Sequence, residues 1–189
     1  MERLETERLI LRRWTLDDAE DCFKYAKDER VGPAAGWKPH ESVEESREII
    51  KSVFFEPEVY AICLKDDPEL RIIGTINLIF GKNSPIPDLT DEDGEMGYWI
   101  GVEHWGKGYA TEAANCIAKH GFQNLKMKRL WGRHYVSNTR SGNVLRKLGL
   151  EHKYDREEKD RLTGEMIMVS VLCLEKEAWE AKKIIKLQK

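Results

Sequence analysis

Gly97-Tyr98-Trp99-Ile100-Gly101-Val102-Glu103-His104-Trp105-Gly106-Lys107-Gly108-Tyr109-Ala110-Thr111-Glu112-Ala113 is the stretch that decides the fold. An apolar strand pattern runs into a glycine-flanked turn, and the turn opens a helix at Ala110-Thr111-Glu112. Gly106 and Gly108 carry no Cβ, so the backbone there can bring N–H groups close to a ligand. The first turn of a helix has unpaired N–H groups and a partial positive charge. Together these features form a phosphate cradle.

Three ligand readings compete. Gly101 to Lys107 fits the spacing of a nucleotide P-loop, but Gly108 stands where that motif needs a hydroxyl for Mg²⁺. A dinucleotide fingerprint needs glycine where Thr111 stands. A pyrophosphate loop for coenzyme A needs only a short Gly-x-Gly turn opening a helix, with backbone amides as the donors and no metal. It loses nothing on inspection. An ordinary strand-to-helix turn with incidental glycines is the alternative without a ligand, because so short a motif carries little information by itself.

Outward from this stretch, Leu9 to Trp14 reads as a strand, and Thr15 caps a helix to Tyr25. Val31 to His40 is a loop punctuated by glycine and proline. Ser42 and Glu45 form a capping box for a helix to Phe55. Strands are expected at 59–64, 72–80, 96–102, 130–136 and 166–174, and helices at 110–125, 141–148 and 177–189. Gly149 stops the second of these helices. The Pro- and Asp-rich segment from Asn83 to Gly94 reads as an exposed loop. The early strands, tightly joined, pair antiparallel; those at Met96 and Leu130, joined through a helix, pair parallel. The fold class is therefore α/β (α+β), a mixed sheet with helices on both faces. A ligand binds outside the carboxyl end of the Met96 strand.

With 189 residues, 41% hydrophobic and 34% charged, the chain reads as one soluble domain, 1–189. A net charge of −3 gives nucleic-acid binding no support. The apolar runs fall short of the roughly 18–20 residues a membrane helix needs, and Met1 to Glu5 is no signal region. Cys22, Cys63, Cys116 and Cys173 are scattered, as in a reduced cytoplasmic protein. The five histidines make no metal-ligand spacing, so no metal is expected.

Four pieces in order then carry a family resemblance: Thr6 to Arg12, Gly94 to Ile100, Trp105 to Ala113, and Asn138 to Ser141 followed by Lys147 to Leu150. They resemble the GNAT N-acetyltransferases, and within them the RimJ/RimL branch of ribosomal-protein-alanine N-acetyltransferases. The resemblance implies the GNAT fold, with a mostly antiparallel twisted sheet, and acetyl transfer from acetyl-CoA to an amine. It implies that backbone groups from Gly106 through Lys107, Gly108, Tyr109 and Ala110 to Thr111 hold the pyrophosphate. The strand end at Ile100, Gly101 and Val102 would bond the pantetheine arm, with Asn138 and Lys147 as further cofactor contacts. Gly97 and Gly101 fit close backbone approach there. Many family members place a tyrosine acid seven residues after the asparagine; Leu145 occupies that position here. The branch instead has serine at the position of Ser141.

Glu95 is the candidate base, and a solvated loop-edge carboxylate is its bland alternative. Ser141 is the candidate donor to the leaving sulfur, with a helix N-cap as its alternative. Trp37 and His40 are the candidate acceptor contacts, and the acidic run from Asp88 to Glu95 is a surface that could draw in a cationic amine. An α-amine has a pKa of roughly 7.7–8.0 against about 10.4 for lysine, so it asks less of a base at neutral pH. The expected acceptor is a protein or peptide N-terminus. The rivals are a small amine (polyamine, amino acid, antibiotic), a non-catalytic CoA-binding module and a nucleotide-binding P-loop protein. Monomer and homodimer both fit.

Overall fold

The computed structural model describes residues 3–187, apart from the side chains at 82 and 183–187. One sheet runs through it. Its strands in chain order are β1 (Leu4–Glu5), β2 (Leu9–Arg12), β3 (Val59–Leu64), β4 (Ile72–Phe80), β5 (Asp93–Ile100), β6 (Arg129–Tyr135), β7 (Glu151–Lys159) and β8 (Met166–Glu175). Their order across the sheet is β1-β2-β3-β4-β5-β6-β8-β7. Every neighbouring pair is antiparallel except β5 and β6, which are parallel as their helical connection requires.

Helices cover both faces. On one lie α4 (Tyr109–Gln123) and α5 (Thr139–Leu148), packed on Leu9, Leu11, Ile76, Met96 and Leu130 through Ile117, Phe122 and Leu145. On the other, α1 (Ala19–Ala26) and α3 (Val43–Ile49, continued by a π-turn Ile50–Phe54) pack on Ile10, Trp14, Ala61, Cys63 and Trp99. Leu9 and Ile10 face opposite cores because strand side chains alternate. A short α2 (Gly32–Ala35) lies in the segment read as a loop, with Pro33 in its first turn and Gly36 at φ +85° ending it. The closing α6 (Lys176–Leu187) sets Trp179 against Phe122 at 5.0 Å. The last two residues of the expected tail helix lie outside the described residues.

Two expectations need correction. The segment from Asn83 to Gly94 is not all exposed loop: Ile86 and Leu89 are buried against Trp131 and Val171, and β5 already starts at Asp93. Asp93 is fully buried because its charge is answered. Arg129 donates through Nε (3.0 Å) and Nη2 (2.7 Å), and Thr90 through its N–H and hydroxyl (both 2.8 Å). β7, in turn, gave no strand signal. Its sequence, EHKYDREEK, has no apolar alternation because it is the outer strand of the sheet, where charge blocks further pairing.

Burial raises the Asp93 pKa, but the bonds from Arg129 and Thr90 outweigh that and leave it below its ordinary value. A lowered folded pKa gives stability that is complete above the unfolded value, about 3.9, and lost as pH falls through the folded one. Asp93→Asn should therefore cost about 1–3 kcal/mol at pH 7. It should also flatten the acid limb of a urea-unfolding series below about pH 4. An unchanged acid limb would remove Asp93 from that account.

Candidate active site

β5 and β6 pair only over Asp93–Arg129, Gly94–Leu130 and Glu95–Trp131. Beyond Glu95 the strands part, although β5 stays bonded to β4 as far as Ile100 and β6 to β8 as far as Tyr135. Gly101 donates its N–H to Ile73 of β4 at 2.9 Å. Backbone groups alternate along a strand, so the N–H groups of Ile100 and Tyr98 face the gap instead. The Ile100 carbonyl is taken by the Trp105 indole N–H at 2.7 Å. Around the gap lies a cavity of about 930 Å³.

The Gly106–Thr111 loop forms one wall. Gly106 and Gly108 have φ of +75° and +85°, in the left-handed region that favours glycine. A Cβ on Gly106 would meet nothing within 4 Å, so this backbone faces open space. The first helical bond runs from Glu112 N–H to Gly108 at 3.0 Å, leaving the N–H groups of Tyr109, Ala110 and Thr111 ahead of it. Such a cradle suits a pyrophosphate. Beneath it, Glu112 accepts from the Thr6 hydroxyl (2.5 Å), Arg8 N–H (2.8 Å) and Arg8 Nε (2.7 Å). Arg8 also donates to the Lys107 carbonyl at 3.1 Å and lies 4.7 Å over the Tyr109 ring. Thr6 to Arg8 and Gly106 to Glu112, far apart in sequence, are thus parts of one support.

Ile100, Gly106, Gly108, Tyr109, Ala110, Thr111, Asn138 and Lys147 all line the cavity, whereas Gly101, Val102 and Lys107 do not. A Cβ on Gly101 would run into the Tyr25 ring and one on Gly97 into the Asn77 side chain, so these glycines make room for neighbours. Asn138 is the N-cap of α5: its Oδ1 accepts from Ser141 N–H at 3.1 Å and its Nδ2 donates to Ala34 at 3.1 Å. Ser141 therefore sits inside the helix rather than capping it, and it lines the cavity with its hydroxyl against Tyr98.

Ser141 Oγ lies 2.9 Å from the Tyr98 hydroxyl, which also donates to the Ser141 carbonyl at 3.0 Å. Burial pushes the Tyr98 pKa up to about 12 against the opposing bond from Ser141, so the phenol stays neutral. Glu95, three residues from Tyr98, points to the opposite face, because odd and even strand positions alternate. It is 5% exposed and not a solvated loop-edge group. Its Oε1 accepts from Arg133 Nε at 2.9 Å and its Oε2 from the Ser84 hydroxyl at 2.6 Å. Leu145 is buried in the core.

Trp37 and His40 pack behind the wall instead of lining it. Trp37 stacks near Trp99 (6.1 Å) and His40 (5.2 Å), and buried His40 bonds the Ser46 hydroxyl through Nδ1 at 2.8 Å. Ala34, Ala35 and Gly36 reach the cavity from that segment. Tyr98, Trp105 and Arg133 are site residues that pattern reading passed over. Arg133 had a signal, as a charge in the middle of the apolar run from Leu130 to Val136.

Residues 8–151 match the model of the acetyltransferase (GNAT) domain. The chain belongs to the GNAT acetyltransferase family. It is 30% identical to the uncharacterized N-acetyltransferase p20 of Bacillus licheniformis, over 92% of this chain and 96% of that one. To the uncharacterized N-acetyltransferase YoaA of Bacillus subtilis it is 31% identical, over 78% and 82% respectively. A GNAT-family acetyltransferase structure from Bacillus anthracis superposes with a TM-score of 0.78 at 22% identity, covering 93% of this chain and 99% of its own. A candidate ribosomal-protein-serine acetyltransferase structure from Vibrio cholerae gives a TM-score of 0.71, also at 22% identity, covering 92% and 97%. The chain is accordingly an acetyltransferase, of a family that generally uses acetyl-CoA.

Gly106→Val puts a branched side chain into open space within the protein, at a φ that costs about 1–2 kcal/mol. Calorimetry should show acetyl-CoA affinity falling at least about tenfold, while the variant still unfolds cooperatively. Unchanged affinity would sink the cradle assignment.

Proposed function

We propose that the enzyme moves the acetyl group of acetyl-CoA to a protein or peptide N-terminal α-amine, in the manner of the RimJ/RimL branch. The parting of β5 from β6 beside the Gly106–Thr111 cradle carries the acetyl-CoA half of this reading. The likeness to the Vibrio cholerae ribosomal-protein-serine acetyltransferase structure supports the branch. The whole chain would then act as one catalytic domain. A cytoplasmic setting fits its four free cysteines. Among the described residues, no helix is long and apolar enough to cross a membrane.

In the reaction the amine nitrogen attacks the thioester carbonyl, a C–N bond forms and the C–S bond breaks. One proton leaves the nitrogen and one joins the departing thiolate. The loop from Gly106 to Thr111 holds the pyrophosphate, and Lys147 and Arg140 line the same cavity within reach of phosphate charge. The N–H groups of Tyr98 and Ile100 pair with the pantetheine arm and the thioester oxygen.

Ser141 donates a hydrogen bond to the departing sulfur, which takes its proton from water, so no serine alkoxide is left behind. Its hydroxyl turns from Tyr98 to the thiolate, and the neutral phenol holds the serine in place. A thiol of pKa about 8.5 is a tolerable leaving group near neutrality, so a serine suffices without a tyrosine on α5. Glu95 stands on the other face of the parted strands, where the amine arrives. Anchored by Arg133 and Ser84, it orients the amine and passes its proton to water. That modest service suits an α-amine, since roughly one in ten is already neutral at pH 7.

Mass spectrometry of a mixed panel with acetyl-CoA tests the acceptor. The panel holds peptides with free N-termini, blocked peptides with free lysines, polyamines and amino-sugar antibiotics. Acetylation confined to peptide N-termini is expected. Acetylation of small amines alone would overturn the α-amine assignment, and binding of acetyl-CoA without any product would overturn catalysis.

A further inference from the structure

The acceptor side of the cavity, where Glu95 sits, is positively charged. Arg30, Arg133, Lys159 and Arg161 line it against two carboxylates, Glu95 and Glu158. Both carboxylates are already matched. Arg133 donates to Glu95 through Nε at 2.9 Å and to Glu158 through Nη1 at 2.8 Å, and Arg156 takes the other Glu158 oxygen at 2.6 Å. Arg30 is held by Asp28 at 2.6 Å. Neither Lys159 nor Arg161, which flank the tip of the β7–β8 hairpin, has an ion-pair partner among the described residues.

Three carboxylates of the acidic run are spent on structure. Asp88 accepts from Tyr154 (2.6 Å), Glu92 pairs with Lys128 (2.7 Å) and Asp93 with Arg129 (2.7 Å). An acceptor with a second ammonium group would meet Lys159 and Arg161 here, with Asp160 between them offsetting their charge only in part.

Tyr135 adds a neutral donor. Its side chain is on the same face as Glu95 and Arg133, its hydroxyl lies against Gly36, and it lines the cavity. Burial raises its pKa first, and Asp160 and Glu158 add to that while Arg133 and Arg161 oppose it. The phenol is therefore protonated at neutral pH, with these charged side chains around it. Ala34 and Ala35 leave room opposite.

We infer that the acceptor carries a carboxylate close to its reactive amine, received by the Tyr135 hydroxyl together with Arg161 and Lys159 while the nitrogen faces Glu95. This rests on the acetyl-transfer reading above. The carboxylate belongs either to a free amino acid or to an acidic side chain just behind a peptide N-terminus. Charge-assisted bonds to a carboxylate are roughly twice as strong as neutral ones, and arginine suits the geometry.

Calorimetric titration of the enzyme–CoA complex with matched acceptors tests this. One pair is alanine and alaninamide; the other is a C-terminally amidated peptide beginning Ala-Glu and its Ala-Gln counterpart; spermidine is the cationic comparison. In at least one pair the carboxylate member should bind about tenfold tighter or more, and the pair that discriminates names the source. In the exposed double variant Lys159→Gln, Arg161→Gln that preference should shrink to within about threefold. Equal affinities or no binding in both pairs, or spermidine binding tighter than either carboxylate, overturns the inference. Because this complex makes no product, the outcome is separate from whether the acetyl group moves, which the panel above reports.

Discussion

Everything at the site depends on a parallel strand pairing that stops after three residue pairs. β5 and β6 are clamped at one end by Asp93 and Arg129, and Glu95 and Arg133 bridge them at the point of divergence. Past that point both strands stay fully paired on their outer sides, so the gap is held open by the sheet itself. A row of backbone groups inside a sheet without a partner strand is costly unless something completes it. In the proposed reading, the amides of the pantetheine arm complete it. The loop at the mouth, in the same reading, offers the backbone N–H groups of Tyr109, Ala110 and Thr111 to the arm's charged end.

The gap also separates the chemistry by face. Even-numbered positions of β5 bring Tyr98 to Ser141 on the side of α4 and α5, while odd-numbered positions bring Glu95 to Arg133 on the side of α1 and α2. In the proposed reaction, Ser141 and Glu95 therefore act from opposite faces of the sheet, through one opening. The Glu112 hub fixes the mouth by tying the start of α4 to the turn before β2. Thr6 to Arg8 consequently supports the wall of the cavity through the loop it holds.

Much of this was legible in the sequence, for physical reasons. β3 and β4 are apolar runs bounded by turn residues, so their limits were readable to the residue. The glycines at 106 and 108 were readable because only a left-handed backbone needs them there. β7 was not, since an outermost strand covered in charge has no apolar period. Trp37 and His40 looked available because their segment is rich in glycine and proline; in the structure they pack onto Trp99 and Ser46. The partners of the acidic run were equally hidden. Arg129, Arg133 and Tyr154 lie on strands that only the sheet order brings alongside. Pattern reading found the Gly106–Thr111 turn at the mouth of the cavity and missed Arg133 and Tyr135 in its wall, because the turn is local in sequence and the wall is assembled from distant segments.

The most direct measurement is residue-resolved amide hydrogen exchange with and without acetyl-CoA. The amides of Tyr98 and Ile100 should slow on binding, together with those from Gly106 to Thr111, while the paired positions Asp93 to Glu95 change little. Protection elsewhere, with Tyr98 and Ile100 exchanging as before, would contradict a cofactor that fills the gap between the parted strands.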